Sequence, residues 1–158
     1  MRISIITLIC AVALTCQGKS AYGQDLDSSD VRVLIEAKQF RFIAHTALTM
    51  EGQSIQLVNT LNSMSLTGDS VSASLPYYGG SFGATYGAYT DDALDFSTAL
   101  ARYQSKFKKN KWEISMRPKN IKNANAMILS VFPNGRATLM ITSNLRQTIT
   151  YNGYISTL

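Results

Sequence analysis

Polar and apolar positions along this chain change period once, and the change separates a short helix from a run of strands. Val31, Leu34, Ile35 and Lys38 recur at i, i+3, i+4 and i+7, an apolar helical stripe closed by a lysine stem. Asp27-Ser28-Ser29-Asp30 stands before them. Such side chains accept hydrogen bonds from the free N–H groups of a first helical turn, and acidic ones suit the positive end of its dipole. At Phe40 the period falls to two. Phe40, Phe42, Ala44, Thr46 and Leu48 alternate with Gln39, Arg41, Ile43, His45 and Ala47, which predicts a strand. Residues 51–61 have no clean period and read as a connection with room for a short strand.

Three hairpins follow from turn chemistry. Gly68-Asp69 suits a two-residue type II′ turn, because glycine takes the positive φ of its first central position. That register sets Leu66 opposite Val71 and Met64 opposite Ala73 on one face, with Thr67–Ser70, Ser65–Ser72 and Ser63–Ser74 on the other. A greasy face backed by hydroxyls covers a core on one side only. Lys109-Asn110 pairs Phe107 with Trp112, Ser105 with Ile114 and Tyr103 with Met116, a face expected to put Trp112 in the core, with Lys106 against Glu113 and Lys108 against Lys111 behind them. Asn134-Gly135 accepts the positive φ of a type I′ turn at both residues and joins 126–133 to 136–143. Both faces of that hairpin carry apolar residues, among them Ile128, Phe132 and Leu139, and Leu129, Val131 and Met140, so central strands are expected. Residues 146–155 form a last strand with Ile149, Tyr151 and Ile155 inward and Gly153 at a bulge or bend.

The sum is α+β: one N-terminal helix packed on a curved, mainly antiparallel sheet of about seven strands, with a half-open barrel as its most closed form. No repeat or proline-rich linker divides the chain.

The N-terminus follows a different rule. Met1-Arg2 is basic, Ile3 to Leu14 is almost unbroken apolar sequence, and Ala21-Tyr22-Gly23 is the small-x-small pattern of a signal-peptide cleavage site before Gln24. The run is shorter than the roughly 20 residues of a membrane span. An exported protein, periplasmic or extracellular, is expected, with a single domain over 24–158. Both cysteines, Cys10 and Cys16, would leave with residues 1–23, so the mature 135 of the 158 residues could form no disulfide. A lipoprotein acylated at Cys16 is the alternative, which Ala13-Leu14-Thr15 fits poorly. Losing Arg2 and Lys19 lowers the formal charge from +5 to +3, too modest for a dedicated nucleic-acid binder.

Catalytic chemistry has little to work with. His45 is the single histidine, a mature chain without cysteine offers no thiol, and no Gly-x-Ser-x-Gly elbow occurs. Zinc needs three or four His, Cys or carboxylate ligands. Asp91, Asp92 and Asp95 form a carboxylate cluster without the spacing of a calcium loop, and read as solvated acids before a strand. Lys106, Lys108, Lys109 and Lys111 read as a charged tip that keeps an edge soluble, ahead of an anionic-ligand patch. No catalytic residue, metal or cofactor is therefore expected.

Residues 75–89 stand apart, with five aromatic residues and four glycines in fifteen positions and no strand alternation. Pro76 removes a backbone donor and ends the preceding strand. Aromatic rings on a glycine-hinged loop can stack on a sugar or an apolar ligand, or fold back to plug the sheet's open end. Tyr77 shares the inward parity of Leu75 and is expected to be the plug; Tyr78, with Phe82, Tyr86 and Tyr89, is expected to form the binding surface.

Leu75-Pro76-Tyr77-Tyr78-Gly79-Gly80, then Asn134-Gly135-Arg136-Ala137-Thr138-Leu139, then Ser143-Asn144-Leu145-Arg146-Gln147-Thr148-Ile149-Thr150-Tyr151-Asn152-Gly153, together resemble the family called domain of unknown function 4251. The resemblance runs from about Val31 to Ile155. It departs at Gly80-Ser81, where the family pattern has a basic residue and then a small one. The resemblance implies small exported bacterial proteins, with no assigned activity and no catalytic residue.

Two functions follow as expectations. The first is a non-enzymatic binding module that uses the 75–89 loop against a small molecule such as a carbohydrate, or against a lipid or peptide. The second is a cell-envelope interaction protein that uses an exposed strand edge such as the 62–75 hairpin. Amino-terminal sequencing of the exported product should begin at Gln24; an acylated Cys16 would overturn the soluble reading.

Overall fold

The computed structural model describes residues 27–58, 61–80 and 93–158. The signal-peptide and Cys16 expectations, and those for Phe82, Tyr86, Tyr89, Asp91 and Asp92, lie outside the described residues. Among the described residues one helix, α1 (Ser28–Ala37), precedes nine strands: β1 (Gln39–Leu48), β2 (Ser54–Gln56), β3 (Ser63–Thr67), β4 (Ser70–Leu75), β5 (Leu94–Lys108), β6 (Lys111–Pro118), β7 (Ala126–Val131), β8 (Arg136–Thr142) and β9 (Ile149–Ser156). All pairings are antiparallel, in the order β2-β1-β3-β4-β5-β6-β7-β8-β9, and β9 returns to pair with β1. The sheet is therefore a closed barrel of eight strands, with β2 added to the end of β1. Two strands exceed the sequence estimate. β2 sits in the aperiodic 51–61 stretch, and β5, 15 residues long, runs well upstream of its expected hairpin.

Helix α1 starts where the sequence indicates. The Asp27 carboxylate accepts from Ser28 N–H at 2.6 Å, and Asp30 lies in the first turn. Val31 and Ile35 are fully buried and Leu34 is half-buried. Lys38 does not extend the stripe: it is the left-handed cap at φ 53°, its N–H satisfying carbonyls of the last turn. Its ammonium meets Asp69 at 2.8 Å and lies 4.7 Å from the centre of the Tyr103 ring. This bond, with the lysine's charge, holds the Asp69 carboxyl below its ordinary value. The carboxylate is exposed, so the pair adds little stability.

The barrel interior is the core. Phe40, Phe42, Met64, Leu66, Ile114, Leu129, Leu139 and Tyr151 are all at 0% exposure, and each comes from an inward position of its strand. The Gly68-Asp69 and Lys109-Asn110 hairpins have the register read from sequence, residue by residue. Gly68 has φ 59°, while Lys109 and Asn110 have φ 52° and 56°.

Four expectations are corrected. First, the Asn134-Gly135 turn is one residue longer. Val131 faces Ala137, Phe132 N–H donates to the Arg136 carbonyl, and only Gly135 of the two has positive φ, at 79°. Pro133 explains this: its fixed φ suits the first central position of a type I turn over 132–135, which glycine closes as a bulge. Second, alternation in β1 breaks at His45. Ala44 pairs with Gly153 and Thr46 with Asn152, leaving His45 as the extra residue of a bulge. The faces therefore exchange, so that Ala47 is buried and Leu48 is 39% exposed. Third, Phe107 and Trp112 pair as expected but do not lie in the core; Phe107 is 56% exposed and Trp112 half-buried. Register sets which way a ring faces, and these two face inward at the rim, where Trp112 packs against the last of the core and Phe107 stands largely outside it. Fourth, the 62–75 hairpin has no free edge, because β1 occupies one side and β5 the other.

The bulge explains why residue 153 is glycine. A Cβ built there would lie 1.9 Å from the Ile43 carbonyl oxygen, so β1 and β9 meet backbone to backbone. Gly153→Ala should lower stability by roughly 3 kcal/mol, the upper range for overpacking a rigid contact. Urea titration checks it; an unchanged midpoint would show that the two strands separate without penalty.

Candidate functional site

The two most widely separated motifs of the sequence meet at one end of the barrel. Pro76 to Gly80 leaves β4, and Arg146-Gln147 enters β9. The Tyr77 hydroxyl donates to the Gln147 carbonyl at 2.9 Å and lies 3.3 Å from that of Gly80. Gly80 N–H donates to Gln147 Oε1 at 3.0 Å, and Gln147 N–H returns to the Gly80 carbonyl at 3.1 Å. The Tyr151 hydroxyl reaches up from the core to the Pro76 carbonyl at 2.8 Å. Four hydrogen bonds thus fasten a turn without regular structure to the last strand and the residues that lead into it. A Cβ at residue 79 would lie 2.9 Å from the Tyr77 hydroxyl oxygen, so Gly79 lets the ring fold under its own backbone.

Arg146 is 5% exposed, and its guanidinium carbon lies 4.8 Å from the centre of the Tyr77 ring. A planar cation over an aromatic face is favourable, and more so where water is excluded. Burial pushes the Tyr77 phenol above its ordinary value, against the opposing effect of Arg146 and the Gln147 backbone. The Tyr151 phenol is pushed much further up. Burial is the main cause, the neighbouring Tyr77 and Tyr78 phenols add to it, and Arg146 opposes it. Both tyrosines therefore stay protonated and serve as donors.

Of the two adjacent tyrosines, Tyr77 faces inward as its parity indicates, while Tyr78, expected outside, is only partly exposed. Tyr77 is 4% exposed and plugs the barrel end. Tyr78 is half-buried, packs against the core, and takes part in none of these bonds. What the residue pattern alone missed is the lower half of the site: Arg146, Gln147 and the Tyr151 hydroxyl. Their signal was the Arg-Gln-x-Ile-x-Tyr-x-Gly run, used for the resemblance but not as partners of Tyr77.

The other candidate residues lie elsewhere. His45 is exposed, its ring 4.9 Å from that of Tyr154. Asp95 is exposed on β5 and borders a shallow depression of about 200 Å³ on the outer face, lined also by Ser63, Ser65, Ser72, Ser74 and Ser97. Among the described residues no group of three His, Cys, Asp or Glu side chains could hold a metal ion, and no helix is long and apolar enough to cross a membrane.

Residues 24–155 match the model of a family described as a domain of unknown function, DUF4251. Among solved structures, the chain is similar to the crystal structure of a DUF4251 family protein from Bacteroides eggerthii. The two share 16% identity over 82% of this chain and 87% of that one, with a TM-score of 0.61. No curated protein matches.

The raised phenols carry a pH prediction. An unfolded tyrosine loses its proton near pH 10, while Tyr77 and Tyr151 keep theirs in the fold. Their contribution is fully present below that pH and is lost as pH rises above it, because the unfolded state then binds fewer protons. Urea midpoints should hold up to about pH 9 and then fall. Tyr151→Phe should start lower, by about 1 kcal/mol for the lost bond, and fall less steeply; an equally steep fall would exclude the Tyr151 phenol as a cause.

Proposed function

The chain belongs to the DUF4251 family, and from the geometry of its barrel end we propose that it is a non-enzymatic, exported binding module. The observation that carries this reading is the contrast between Tyr77 and Tyr78. Around Tyr77, hydroxyl, amide and guanidinium groups are spent on one another, in a cluster that holds the end rigid. Tyr78 is left beside that cluster with part of its ring in the open. A rigid base under an accessible aromatic ring is what stacking on a sugar or another flat, partly apolar ligand requires, because little conformational freedom is lost on binding. Phe82, Tyr86 and Tyr89 extend the surface in this reading. Export, to the periplasm or beyond, rests on the Ala21-Tyr22-Gly23 pattern and brings the module within reach of envelope carbohydrates.

A second reading, an envelope interaction protein that pairs through a strand edge, has one observation of its own. Among the described residues, Arg102 to Lys108 of β5 has a strand neighbour on one side only, that of β6. An incoming strand would add there.

Two alanine variants test the first reading. Tyr77→Ala should cost about 3–5 kcal/mol, as for a large ring removed from a core. Tyr78→Ala should cost about 1 kcal/mol and abolish binding to members of an oligosaccharide panel followed by ligand-observed NMR. Binding that survives Tyr78→Ala would remove the platform, and a larger stability loss at Tyr78 would reverse the assignment.

A further inference from the structure

Fifteen basic and ten acidic residues give the chain a formal charge of +5, and its distribution is uneven. Arg102, Lys106, Lys108, Lys109, Lys111 and Arg117, with Glu113 as the one acid, all lie within residues 102–117, the distal part of the β5–β6 hairpin; the remaining residues hold nine charges of each sign. The whole excess therefore sits on the far part of one hairpin. Lys108 and Lys111 face each other across its end, and Lys109 occupies the turn. Like charges directly opposed destabilise a hairpin. Among the described residues Lys106, Lys108 and Lys109 form no ion pair, the pairs there being Arg32–Glu36 and Lys38–Asp69.

The same tip carries the misplaced aromatic pair. Phe107 and Trp112 lie 5.2 Å apart, tilted by 58°, with Phe107 56% exposed. β4 pairs with β5 no further than Ala99, and β7 follows β6 only as far as Trp112, so Lys108 to Lys111 stands beyond the neighbouring strands. Lysines that guard a strand edge would account for Lys106 and Lys108. They do not account for two large rings left at the same point.

We propose that this hairpin tip, Lys106 to Trp112, docks on an anionic lipid bilayer. Phe107 and Trp112 enter the headgroup layer, where aromatic rings are favoured, and Lys106, Lys108 and Lys109 meet lipid phosphates along flexible stems. The occupant follows from charge and shape. The lysines ask for a negative surface, and the rings ask for one with apolar depth. A convex tip can sink into a deformable layer but offers a rigid polyanion few contacts. The attachment is peripheral, since the barrel holds its apolar side chains inside, the reverse of a barrel that spans a membrane.

Trp112 is the single tryptophan of the chain, so its emission reports the tip alone. The full-length mature protein is mixed with vesicles of phosphatidylcholine, with and without phosphatidylglycerol. With anionic vesicles the emission should shift to the blue and be quenched by lipids brominated on their acyl chains, and both effects should weaken with salt. Lys108→Gln with Lys109→Asn, which keeps a residue suited to positive φ in the turn, should lower the partition coefficient roughly 25-fold, about fivefold per lysine. Phe107→Ser should weaken binding with every charge in place, and both variants should keep a cooperative melt, the lysine variant melting no lower than the parent. Emission unchanged by anionic vesicles, or full binding by the double-lysine variant, would overturn the proposal. Capture by heparin or an oligonucleotide with vesicles ignored would overturn it as well, and assign the tip to a polyanion.

Discussion

The pairing of the first long strand with the last is the contact on which the rest of this molecule depends. β1 over Arg41–Leu48 and β9 over Thr150–Ser156 are about a hundred residues apart in sequence and adjacent in space. Without that ladder both would be open edges, and the interior would be wet along a full seam. With it, the inward side chains of the barrel's middle have neighbours on all sides and form a dry core. The closure is also the most non-local contact in the fold. Hairpins can form within a few residues of their turns, whereas this pairing must hold the chain's two ends together against a large loop entropy.

Closing a sheet demands curvature, and the chain supplies it at three points where one strand has a residue too many. His45 is extra opposite Gly153, Ala101 is extra between the Leu100–Pro118 and Arg102–Arg117 pairs, and Gly135 closes a bulged turn. Each increases local twist and bends its strand. The first two also exchange the faces of their strands. That is why Ala47 rather than Leu48 is buried in β1, and why Tyr103, not Arg102, turns inward on β5 toward the helix carbonyl of Ile35.

These bulges mark the boundary of what the residues reveal. Where a register depends on two turn residues, as at Gly68-Asp69 and Lys109-Asn110, it can be written pair by pair from sequence. Where it depends on a partner a hundred residues away, as at His45, no local signal exists; alternation simply continues on paper. Pro133 was a local signal, but Asn134-Gly135 competes with it, and the outcome rests on which residue opens the turn. Depth is equally hidden. Parity states that Trp112 faces inward, and only the lengths of β4 and β7 show that it sits at the rim of the barrel. The site divides the same way. The facing of Tyr77 follows from the parity of Leu75, but Gln147 and Arg146 lie about seventy residues on, and alternation says nothing about which strands are neighbours.

The antiparallel order also sets the distance between the two proposed surfaces. Leu94 pairs with Leu75, beside the Tyr77–Gln147 cluster, and the same strand then runs fourteen residues to Lys108 at the basic tip. At about 3.3 Å per residue that is roughly 45 Å measured along the strand. The aromatic ring on a hydrogen-bonded base and the lysine-flanked rings of the hairpin thus occupy opposite ends of one rigid body. An interaction at the hairpin would leave the Tyr78 end pointing away from whatever the tip had met. β5, the longest strand of the sheet, is what keeps the two apart, and its overhang past β4 gives its length a physical reading.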